Sequence, residues 1–273
     1  MTLFRVEDWD DAYANGANIP GGDRWPDAWI KPAADFRASL GDRAELDISY
    51  GENGREKLDI FLPEGKPEGL FVFVHGGFWL RLDKSYWSHL AAGALERGWA
   101  VVMPSYPLCP EVRVGAISRS VARAVAFAAE RIGGPIRLAG HSAGGQIVTR
   151  LLCGGTGLPD AVAGRIDRAM SISGVHDLRP MIRTAMNRSL HIDMDEAHAE
   201  SPGLLEPVVD AAVICWVGAN ERSEFVRQNA LLANIWRGLG LATDAVEEPD
   251  RHHFDVIDGL AGADSPMATA LLP

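Results

Sequence analysis

The stretch "IRLAGHSAGGQIVTR" (residues 136–150) runs from a short apolar segment through Gly-His-Ser-Ala-Gly into a helical pattern starting near Ala143. A brief apolar run ending in glycine reads as a buried strand, and the residues after Ser142 have helical spacing. A serine at so tight a strand-to-helix corner projects its Oγ above the sheet. It needs glycine close by on each side, where a Cβ has no room. Gly140 and Gly144 meet that need, so Ser142 reads as a nucleophile on an elbow. The competing interpretation is a phosphate-binding turn at a helix N-terminus. Neither Gly-x-Gly-x-x-Gly nor a Lys-Ser/Thr pair accompanies this serine.

Outward from the elbow, apolar runs at 69–76 (GLFVFVHG), 100–107, 169–174 and 211–219 predict strands covered on both faces. Segments 85–98, 114–134 and 224–240 predict helices between them, and a last strand falls near 244–248. Strands alternating with helices predict crossover units and a mostly parallel sheet with helices on both faces. AELDISYG and KLDIFLP alternate apolar and polar about a GENG turn, which predicts an antiparallel hairpin at the N-terminal edge. The expected organisation is an aromatic-rich arm or partial lid over 1–40 and one α/β core over 41–273. That core carries a mostly helical insertion at about 175–210, placed to shape a pocket at the strands' C-terminal ends.

The 273 residues carry a formal net charge of −11, which argues against a nucleic-acid or anionic-membrane partner. Cys109, Cys153 and Cys215 are odd in number and far apart, so neither a disulfide framework nor a zinc knuckle is expected. The eight histidines form no His-Glu-x-x-His and no ligand-spaced cluster. The run "HIDMDEAH" (191–198) reads as a solvated helix start. No metal or cofactor is expected. The acidic, aromatic start has no signal-peptide pattern and no apolar run has membrane-spanning length, so the expected location is cytoplasmic. The oligomeric state is open.

A serine nucleophile needs an oxyanion site, a base and an orienting acid. "FVFVHGGFW" (71–79) ends a strand in His-Gly-Gly, which points to the N–H groups of Gly77 and Phe78, joined by that of Ala143. His75 and His141 read as structural. "EEPDRHHFDVIDGLA" places His252 and His253 after the last strand; His253, next to Phe254 and before a C-terminal helix, is favoured as base. Glu221, in "ANERSEF" at a strand's end, is favoured as acid. Asp177 is its main rival, with Asp210 and Asp255 further off. Phe78, Trp79 and the N-terminal aromatics suit either a flat aromatic pocket or ordinary packing.

Taken together, "HGGFW" (75–79), "GHSAGG" (140–145), "SGVHDLRP" (173–180), "ANERSEFVRQ" (219–228) and "HFDVIDGL" (253–260) resemble the α/β-hydrolase superfamily. Within it they are most similar to hormone-sensitive-lipase-like esterases of the arylformamidase (kynurenine formamidase) branch, from about residue 10 to near the end. The resemblance implies a single α/β-hydrolase domain with Ser142 as nucleophile, Glu221 as acid and His253 as base. It implies oxyanion donors at Gly77, Phe78 and Ala143. Many relatives have Asp where this chain has Glu221, and often a Gly where it has Asp250 and Arg251. Members of the branch hydrolyse N-formylkynurenine, and many cleave activated aryl or short-chain esters. The alternatives are a general short-chain carboxylesterase and a non-catalytic hydrolase-fold binding module.

Overall fold

Every residue of Leu70–Val74 is buried, as a strand covered on both faces requires. Side chains alternate across a strand, so Leu70, Val72 and Val74 enter one core while Phe71 and Phe73 enter another. The computed structural model describes residues 5–273. Its strands are β1 (Ala44–Ser49), β2 (Lys57–Phe61), β3 (Leu70–Val74), β4 (Ala100–Pro104), β5 (Ile136–His141), β6 (Ile166–Ile172), β7 (Ala212–Gly218) and β8 (Thr243–Glu248). They form one eight-stranded sheet in the order β1-β2-β4-β3-β5-β6-β7-β8. The β1–β2 and β2–β4 pairs are antiparallel and all later neighbours are parallel, as the sequence predicts.

The helices are α1 (Trp9–Tyr13), α2 (Trp25–Leu40), α3 (Ala92–Glu96), α4 (Val114–Arg131), α5 (Ala143–Leu151), α6 (Asp160–Ala163), α7 (Asn187–Leu190), α8 (Met194–Ala199), α9 (Ser223–Gly238) and α10 (Pro266–Leu271). On one face α4 buries Val114, Ile117, Val121, Val125 and Ala128, the three-or-four spacing of a helical stripe, alongside Ile147 of α5 and Leu232 of α9. On the other face, Trp29 of α2, Leu95 of α3 and Leu271 of α10 pack with Phe71 and Phe73. The chain leaves β3 toward β4 on one side and leaves β5 toward β6 on the other. The neighbours β3 and β5 therefore flank a topological switch point, where the strands' carboxyl ends open a crevice. No helix among the described residues is long and apolar enough to cross a membrane.

Tertiary packing overrides local pattern in three places. The helix expected over 85–98 is two 3₁₀ turns, Lys84–Tyr86 and Ser88–Ala91, followed by the short α3. Trp87 leaves helical geometry between them (φ −125°), its ring stacked on His75. The insertion at 175–210 is broken into 3₁₀ turns and the short helices α7 and α8, interrupted by Pro180, Pro202 and a left-handed His191 (φ 54°). A 3₁₀ turn, Val256–Ala261, stands where a C-terminal helix was expected to open, and α10 comes after it. The "HIDMDEAH" run is a capped helix start: Asp193 accepts from Glu196 N–H, and Arg113 pairs with Asp193 and Glu196.

Two wholly buried histidines couple this fold to pH. Burial pushes His75 down to about 4 and His176 down to about 3. An unfolded histidine takes its proton near 6.5, so below that pH the unfolded chain binds more protons than the native one. The stability contributed by the neutral rings is complete above about pH 6.5. It declines on acidification toward pH 4 by up to about 1.4 kcal/mol per pH unit for each ring. The urea midpoint is expected to be lower at pH 5 than at pH 7, and equal midpoints would contradict this.

Candidate active site

At the corner between β5 and α5, Ser142 adopts φ 56° and ψ −117°, left-handed strain of the kind that collects at functional turns. Its N–H donates to Ile172 O at 2.8 Å, tying the corner to the end of β6. The flanking glycines are required by close approach. A Cβ on Gly140 would lie 2.1 Å from Gly144 O, and one on Gly144 would lie 2.0 Å from Val74 O. Both obstacles are backbone and cannot swing aside. Gly144→Ala is therefore expected to cost at least about 3 kcal/mol or to prevent folding, as overpacking against rigid backbone does. Chemical denaturation checks this, and near-wild-type stability would refute it.

The loop after β3 turns sharply, with Gly77 at φ 112°, Phe78 at φ 55° and Trp79 at φ 59°. Among the described residues nothing accepts a hydrogen bond from the N–H of Gly77, Phe78 or Ala143. Open donors beside a serine suit a developing oxyanion. His75 fastens this loop: its Nδ1 lies 2.7 Å from Gly76 O, and its ring stacks on Tyr106, whose hydroxyl donates to His75 O.

His253 comes after β8, and its Nδ1 lies 2.6 Å from Glu221 Oε2, with both side chains buried. The other carboxylate oxygen, Oε1, accepts from Ser173 Oγ at 2.5 Å and from Gly218 N–H at 2.9 Å. A carboxylate held by two donors on one oxygen leaves the other for imidazole Nδ1–H, so His253 keeps an unprotonated Nε2. Phe225 packs on the ring, and His141 Nε2–H donates to His253 O at 2.8 Å. Burial, reinforced by the adjacent His253, holds His141 far below the ordinary histidine range, so it stays neutral.

The rival groups lie elsewhere. Asp177 closes on Arg179 through both oxygens, at 2.9 and 2.8 Å. Asp255 accepts from His252 N–H, and Asp210 is exposed. His252 packs perpendicular to Trp25, with ring centroids 5.2 Å apart.

Ser142 and His253 share a cavity of about 270 Å³, walled by Gly77, Phe78, Trp29, Trp87 and Phe254 among others. Ser142 Oγ makes no hydrogen bond to His253 here; such contacts commonly tighten only when substrate is present. Gly16, Ala17, Gly22, Asp23, Pro26 and Trp29 bring the N-terminal arm into the wall. Trp79 is not part of it. The left-handed turn at 78–79 sends that indole into the core, where its Nε1–H donates to Gln146 at 3.0 Å. Sequence reasoning missed Trp87, Arg81 and Phe254 as lining. Phe254 was signalled by its adjacency to His253; Trp87 and Arg81 had no local signal.

The sequence model of the alpha/beta hydrolase family matches residues 71–266. The chain is 28% identical to a kynurenine formamidase of Salmo salar, over 83% of this chain and 80% of that one. A solved protein of Silicibacter sp. TM1040, provisionally named a thioesterase, is 50% identical with TM-score 0.93, covering 97% of this chain and 99% of that one. An esterase of Pyrobaculum calidifontis, 18% identical with TM-score 0.70 over 92% of this chain and 91% of that one, shares the fold.

Proposed function

The chain belongs to the alpha/beta hydrolase family, and from that premise we propose that it is a serine hydrolase cleaving small esters or aryl formamides of the N-formylkynurenine type. The observation that carries this is one cavity holding Ser142 on a strained elbow and His253 locked to a buried Glu221. His253 Nε2 takes the Ser142 proton as Oγ attacks the carbonyl carbon. The oxyanion is received by the N–H groups of Gly77, Phe78 and Ala143. His253 then protonates the leaving amine or alcohol, and the acyl-enzyme forms. Water, deprotonated by the same ring, releases formate or another small acid and restores Ser142.

The aryl preference is supported by Phe78, Trp29, Trp87 and Phe254 around the cavity. The formamide preference is supported by the similarity to the Salmo salar formamidase. A short-chain carboxylesterase is the second reading, supported by how little the triad discriminates between amide and ester. The test is kcat/KM for N-formylkynurenine, 4-nitrophenyl acetate and a short acyl thioester. Formylkynurenine turnover exceeding that of the others supports the proposal, and ester cleavage without it removes the formamidase reading. A fluorophosphonate probe that fails to label the protein, with none of the three substrates cleaved, leaves the fold as a binding module.

A further inference from the structure

Among the described residues, Asp23 and Arg81 are the only side chains of fixed charge that line the cavity over Ser142. Most arginines near the sheet are spent on the protein: Arg55 donates to Tyr106 O and Leu82 O, and Arg165 spans three carbonyls. Among the described residues the Arg81 guanidinium meets no carboxylate and no hydrogen-bond acceptor, and it makes no ion pair with Asp23. Its backbone is nonetheless fixed to the oxyanion loop. Arg81 N–H donates to Gly77 O at 3.2 Å, and a Cβ placed on Gly77 would lie 3.4 Å from Arg81 Cγ. The stem is thus anchored beside that loop, and Arg81, an exposed residue, lines the cavity from its rim.

Trp29 and Trp87 also line this cavity and are 5% and 1% exposed; among the described residues their indole N–H groups have no acceptor, and those atoms are closed off from the cavity. Arg81 is thus the cation that the wall offers a ligand, against a single carboxylate, Asp23. The chain's net charge of −11 repels anions at long range, so an anionic substrate needs a local cation to hold it.

We propose that Arg81 is a specificity-determining residue that anchors a carboxylate on the substrate, so that the site prefers anionic aryl esters or amides to neutral ones of equal shape. This rests on the serine hydrolase reading for the reaction but not for the binding. The planar guanidinium presents a fork that matches a carboxylate through two parallel hydrogen bonds. Such a charge-assisted contact at a partly solvated rim is worth about tenfold in affinity.

The test is quenching of intrinsic tryptophan fluorescence by phenylacetate and by neutral phenylacetamide. The wild type is expected to bind phenylacetate about tenfold more tightly. Arg81→Gln should lose that preference and Arg81→Lys should keep part of it. Equal affinities in the wild type, or a preference that survives in Arg81→Gln, overturn the proposal. The kinetic counterpart is the ratio of kcat/KM for 4-acetoxyphenylacetate and 4-acetoxyphenylacetamide, which should fall toward one in Arg81→Gln. If neither ester is cleaved, the hydrolase reading fails, and the titration still decides the role of Arg81.

Discussion

Ser142→Ala is expected to lower kcat for an aryl ester by a factor on the order of 10⁵, the scale of nucleophile loss in triad enzymes. The native fold should persist. Among the described residues Ser142 Oγ makes no structural hydrogen bond, and alanine and serine bear similar strain at φ 56°. The N–H groups of Gly77, Phe78 and Ala143 remain in the variant, so a residual rate above the uncatalysed one is expected. Steady-state kinetics with circular dichroism checks both parts, and fluorophosphonate labelling of the wild type alone gives the chemical counterpart. A folded Ser142→Ala protein that keeps a hundredth of wild-type kcat would remove Ser142 as nucleophile.

Glu221→Gln is expected to cost a factor on the order of 10³–10⁴ in kcat, close to the measured effect of neutralising a triad acid. The reason is the local donor count. Glu221 Oε1 accepts from Ser173 Oγ and Gly218 N–H, while Oε2 accepts from His253 Nδ1. A glutamine amide has one oxygen for these two sides. If its NH₂ faces Gly218, two donors oppose each other, because a backbone N–H cannot reverse. If its NH₂ faces His253, the imidazole must shift its proton to Nε2, the nitrogen that has to accept from Ser142. Glu221→Asp keeps both acceptor oxygens but withdraws them by one methylene, so its loss should be smaller. Asp177→Asn is the control: its carboxylate is committed to Arg179, and a small effect is expected. If Asp177→Asn loses more than Glu221→Gln, the acid has been misassigned.

The elbow was legible because its chemistry is local. A strand, a serine and two glycines within five residues specify a corner that little else explains, and the contacts of Gly140 and Gly144 with backbone show what those glycines are for. The sheet was legible for a related reason. Doubly buried strands lack the polar alternation of half-exposed ones, and Leu70–Val74 feeds both cores at once. The 85–98 segment was not legible. Its helical spacing is real, but the stacking of Trp87 on His75, twelve residues upstream at the end of β3, depends on how the loop between them folds. Trp79 was ambiguous because adjacent aromatics in a loop give no hint of which faces the cavity. Two successive positive φ angles decided it.

The sequence by itself determined the parallel α/β order, the corner at Ser142, the glycine loop after β3 and a short set of candidate acids and bases, since each is written in a few adjacent residues. Tertiary structure alone decided which carboxylate meets which histidine. Glu221 and His253 are brought to 2.6 Å by the pairing of β7 with β8, whereas Asp177 is captured by an arginine two residues away. It also decided what surrounds Ser142. Trp29 comes from α2, Arg81 and Trp87 from the β3–β4 connection and Phe254 from beyond β8, and only the folded chain brings these three segments to one wall.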